Sequence, residues 1–70
     1  MSMSLSQREG LEKQARELKG GVNRLVAQRK EYERQGLTEF DLRIQGINMS
    51  IEAMNRVIHK INAQLNEEAS

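Results

Sequence analysis

The sequence predicts an all-α fold, a two-helix antiparallel hairpin of coiled-coil character, and three observations carry that prediction. Seventy residues with no proline, no cysteine, 3% aromatics and 30% charged side chains have the profile of long helices rather than of a sheet-built globule. The second half carries an unbroken 3-4-3-4 spacing of apolar residues, the signature of a heptad seam. Near the middle, a glycine is followed at once by residues that cap helix N-termini, so a stop and a start adjoin.

The first helix is expected over about 7–35. Ser6 with Glu9 reads as a capping box at its start. Its seam runs through Leu11, Ala15, Leu18, Val22, Leu25, Arg29 and Tyr32, thinner at Ala15 and interrupted by an arginine. Gly36 stands where a left-handed residue ends a helix, because glycine takes that conformation without a Cβ penalty. Thr38 then offers its hydroxyl to the Asp41 amide, with Asp41 as the acidic half of a second capping box, and Leu37 and Leu42 fit a hydrophobic staple. The second helix is expected over about 38–66, with Phe40, Ile44, Ile47, Ile51, Met54, Ile58, Ile61 and Leu65 on its seam. The hairpin core is accordingly placed at Leu11, Leu18, Val22, Leu25 and Tyr32 against Phe40, Ile44, Ile47, Ile51, Met54, Ile58 and Ile61, with Val26 and Val57 widening it. One hairpin, 1–70, makes the whole domain, with 1–5 and 67–70 frayed at its open end.

A short turn forces neighbouring helices to run antiparallel, and layer partners should then share a constant index sum. Pairing Tyr32 with Phe40, Arg29 with Ile44, Leu25 with Ile47, Val22 with Ile51, Leu18 with Met54, Ala15 with Ile58 and Leu11 with Ile61 gives sums of 72 or 73. The seams are self-consistent over those layers.

Charge and residue inventory exclude several function classes. The net charge is +1, so no global field draws the chain to nucleic acid or to an anionic membrane. The halves differ: residues 1–36 hold eight Lys or Arg and five Glu, whereas 37–70 hold three basic and five acidic side chains, an asymmetry that favours their lying side by side. Lys19, Arg24, Arg29 and Lys30 form an acid-free stretch, yet the aromatics Tyr32 and Phe40 both fall on the seam and leave no stacking platform for a single strand. Nucleic-acid binding is therefore disfavoured. One histidine, His59, and no cysteine give no metal centre, and a two-helix hairpin has no concave site in which a nucleophile and base could exclude water. No enzyme activity, no cofactor and no small-molecule substrate are expected. The Met-Ser-Met-Ser opening lacks the apolar core of a secretory signal and no apolar run approaches a membrane span, which points to a cytoplasmic protein without membrane contact.

A second apolar stripe, Leu42, Gly46, Met49 and Ala53, recurs at spacings of 4, 3 and 4 on the side of the second helix away from the seam. Two very small side chains and an adaptable methionine suit a surface on which another helix lies, so these four are the candidate partner-binding residues. Gly20 and Gly21 weaken the first helix by about 0.8–1 kcal/mol each relative to alanine, which a close approach of a partner helix or a bend would explain. A hairpin this small, without disulfide or metal, is marginal alone and favours a homodimer or burial against a larger protein.

The hairpin layout, with Ile51-Glu52-Ala53-Met54 running into Val57-Ile58-His59, resembles the small co-chaperones of type III secretion needle subunits, the YscE and PscE kind. That resemblance implies a chaperone function: a hairpin that pairs with a larger helical-repeat chaperone and keeps a secreted filament subunit unpolymerised in the cytoplasm. The competing expectation is a self-associating coiled-coil adaptor, a four-helix dimer.

Overall fold

The computed structural model describes residues 3–69, and these form two helices, α1 over Leu5–Arg34 and α2 over Leu42–Ala69. A 30-residue helix spans about 45 Å, and the chain measures 51 × 15 × 14 Å, so α1 and α2 lie side by side as an antiparallel hairpin. The all-α class holds.

Both ends of α1 follow from local chemistry. Ser4 Oγ accepts from the Gln7 N–H at 3.1 Å, while the Ser4 N–H donates to Gln7 Oε1 at 3.1 Å. This capping box has the same serine-to-polar spacing as Ser6 with Glu9, but it lies two residues earlier and makes Leu5 helical. At the other end, Gly36 has φ +98°. Its N–H donates to the Glu33 carbonyl at 3.0 Å and that of Leu37 to the Tyr32 carbonyl at 3.1 Å, the paired bonds of a Schellman stop.

The start of α2 corrects the expected cap. Thr38 belongs to a turn: its carbonyl accepts from the Asp41 N–H at 3.0 Å, and its hydroxyl from the Phe40 N–H at 3.4 Å. Asp41 is the cap, its Oδ1 accepting from the Arg43 N–H at 2.9 Å. A carboxylate accepts more strongly than a hydroxyl, and the Schellman exit leaves room for this further turn before the helix begins. The helix bounds of 7–35 and 38–66 therefore become 5–34 and 42–69. Within the stretches expected to fray, Ser4 caps the start of α1 and α2 runs on to Ala69; residues 1, 2 and 70 lie outside the described residues.

Moving the cap has two consequences for packing. Phe40 leaves the helical phase that placed it one turn before Ile44, and it is 77% exposed rather than in the core. The register also shifts. A Cβ on Gly21 would lie 3.3 Å from Met54 Sδ, and Arg29 Nη1 donates to Asn48 Oδ1 at 2.6 Å, contacts whose index sums are 75 and 77 instead of 72 or 73. These sums exceed the expected ones by two to five, about one helical turn on average, so the faces that meet are kept while the layers slide.

Ile44, Ile47, Ile58 and Ile61 of α2 are buried against Ala15 and Gly21 of α1 and their neighbours. Leu11, Leu18, Val22, Leu25 and Tyr32, with Ile51, Met54 and Leu65 opposite, are half-buried. Two helices cover one side of each other only, so the seam stays open at both flanks. Folded monomers of 8.0 kDa expose about 4,450 Å², whereas this hairpin exposes 5466 Å². It carries about 1,000 Å² of surface that a globular chain of its mass would bury.

Candidate functional site: the outer face of the second helix

The four stripe residues, Leu42, Gly46, Met49 and Ala53, are all exposed. Leu42 is 82% and Met49 69% exposed, although helix geometry alone would let either one cover the neighbouring turn. The reason is the direction of α2: burying Ile44, Ile47, Ile58 and Ile61 against α1 turns the opposite side of the same helix to solvent. Leu42 consequently makes no staple over Leu37.

Gly46 is open. A Cβ built on it would meet nothing within 4 Å, so its lack of a side chain serves no packing inside the hairpin. Gly20 is equally open, whereas Gly21 is buried against Met54. The close approach considered for the glycine pair is thus made by Gly21 alone, within the chain.

Two residues expected in the core are exposed instead: Phe40, which the turn ejects from the seam to the flank of Ile44 and Asn48, and Val57, which is 40% exposed one turn past Ala53. The signal for Phe40 was present in the sequence: an aspartate directly after it is itself a capping residue and competes with Thr38. Beside the stripe, Gly46 and Ser50 line one edge of a shallow groove whose other edge is Leu25 and Tyr32.

The turn end of the hairpin is electrostatically tied down. Arg43 forms paired hydrogen bonds to the Asp41 carboxylate at 3.1 and 3.2 Å, and its guanidinium lies 5.6 Å from the centroid of the Tyr32 ring on α1. Those bonds from Arg43, side chain first and backbone second, hold the Asp41 carboxyl below its ordinary 3.8, and the carboxylate in turn raises the Arg43 guanidinium. Arg29, from the basic stretch, is also engaged, with Asn48 across the hairpin and with Glu33 at 3.7 Å along α1. The pairs Arg8–Glu12 and Arg34–Glu31 are likewise local to α1. The charge asymmetry between the halves is therefore not what brings Arg29 to α2; a neutral asparagine receives it.

Among the described residues, no group of three or more His, Asp or Glu could hold a metal ion, and no helix is long and apolar enough to cross a membrane. His59 is exposed on α2. No protein-family model matches the chain, and comparison with curated proteins and with solved structures gives no match either.

Proposed function

We propose that this protein is a non-enzymatic helical interaction module that acts in the cytoplasm and uses the outer face of α2 to bind a helix of a protein partner. One observation carries the reading: Leu42, Gly46, Met49 and Ala53 form an apolar stripe that the hairpin leaves in water while burying the opposite side of the same helix. Gly46 adds to it, since a glycine inside a helix costs about 1 kcal/mol and nothing in its own chain uses the space. A narrower version of the proposal, drawn from the resemblance to needle-subunit co-chaperones, makes the partner a helical-repeat chaperone that guards a filament subunit. The support for that version is the hairpin layout alone.

The test compares Met49→Glu and Ala53→Glu with Lys13→Gln on exposed α1 as the control. A carboxylate on the stripe should abolish association, measured by light scattering and by co-purification from the native cytoplasm, because an unpaired charge in a buried interface costs several kcal/mol. Circular dichroism should stay that of the parent, since both positions face solvent. Unchanged association at normal helicity overturns the reading.

A further inference from the structure

We propose that the outer face of α2 is an interface with a second copy of this chain, the two α2 helices packed antiparallel about a two-fold axis; this rests on the interaction-module reading and names its partner. Three observations support that occupant.

The first is shape. Under an antiparallel two-fold, positions with an index sum of 95 oppose each other, so Leu42 faces Ala53 of the other copy and Gly46 faces Met49. Each large side chain meets a small one, twice over by symmetry. Parallel packing would instead set Leu42 on Leu42 and Gly46 on Gly46, crowding one layer and leaving a void at the next. Gly46 leaves its own surface clear for the exposed Met49 of the other copy.

The second is what surrounds the stripe. The same pairing sets Glu39 of the acidic turn at the level of Arg56 of the other copy, an acid beside a base twice over by symmetry. Opposite charges therefore lie at the rim of the apolar stripe.

The third is area. The hairpin's excess of about 1,000 Å² over a globular chain of its mass is slightly more than the roughly 800 Å² per partner buried in a standard interface. One further helical layer supplies what the hairpin lacks.

The decisive experiment is a crosslink that only the antiparallel pair permits. In one chain, positions 42 and 53 are eleven residues apart, about 16 Å along the helix, so they cannot bond to each other. Oxidised Leu42→Cys, Ala53→Cys should run as a covalent dimer, while Leu42→Cys and Ala53→Cys alone should not. A second pair of variants guards against a chance disulfide. Gly46→Met, whose Cβ meets nothing within 4 Å in its own chain, should keep helicity yet weaken dimerisation at least about tenfold. Gly46→Met, Met49→Ala should recover most of that loss, by restoring a large side chain opposite a small one. Sedimentation equilibrium across a dilution series reads both.

A wild-type chain that stays at 8.0 kDa throughout overturns the second-copy proposal. The interaction-module reading is then judged separately, by whether Met49→Glu abolishes co-purification of another protein. A dimer in which the double-cysteine variant crosslinks no better than the single variants, or in which Gly46→Met is neutral, also overturns the proposal, because the pairing would use another face.

Discussion

The adjacent glycines of α1 offer a sharp test of the hairpin register, because one residue type in one helix meets two different surroundings. Gly20→Ala places a methyl where nothing lies within 4 Å, so the substitution should express the bare helix propensity, a gain of about 0.8–1 kcal/mol. For a domain of this length, each kcal/mol moves Tm by roughly 4–8 °C. Gly21→Ala carries the same propensity gain, but its Cβ would sit 3.3 Å from Met54 Sδ and 3.5 Å from Met54 Cε. The thioether must give way by a few tenths of an ångström, which an unbranched side chain does at some loss of contact. The net rise in Tm should be less than half that of Gly20→Ala. Gly21→Val adds a branch against the same sulfur and stiffens χ1, so overpacking should turn the sign, with a loss of about 1–3 kcal/mol. Thermal melts by circular dichroism at one fixed chain concentration measure all three, concentration being held because association raises Tm by mass action. If Gly21→Ala matches Gly20→Ala and Gly21→Val is tolerated, α1 and α2 do not approach at Gly21 and the register described here is wrong.

Two further outcomes follow from the turn. Gly36→Val should cost about 1–2 kcal/mol in the same melts; since a Cβ there meets nothing within 4 Å, the whole effect comes from φ +98°, and an unchanged Tm would contradict the Schellman stop. Asp41→Ala should lower Tm more than Thr38→Ala, because the aspartate and not the threonine caps α2. Its carboxyl is held below 3.8 by Arg43, so its contribution to stability is fully present above that pH and is lost as pH falls through the lowered value. Carbon-13 titration of Asp41 should show an acid-shifted midpoint that moves back up in Arg43→Gln. A midpoint indifferent to Arg43 would refute the pairing.

Helix content, the stop at Gly36 and the burial of Ile44, Ile47, Ile58 and Ile61 were legible in the residues because each is decided locally or by a period repeated over many turns. A glycine directly before capping residues breaks a helix whatever lies across from it, and a seam of isoleucines buries itself against any apolar neighbour. The candidate stripe was legible as a pattern, since Leu42, Gly46, Met49 and Ala53 recur at helical spacing. Its place on the side of α2 away from the seam was legible as well, whereas the degree to which each side chain stays in solvent follows from how α1 lies on α2. The register and the fate of Phe40 were decided in three dimensions too. Thr38 and Asp41 are both competent caps three residues apart, and choosing the second slides the layers by about one turn and drops Phe40 from the seam of α2. Gly20 and Gly21 differ in nothing but the direction their missing side chains would take, and that direction acquires meaning when Met54 packs against one of them. Periodicity states which residues share a face; which face meets which, and at what level, depends on contacts between residues far apart in the chain.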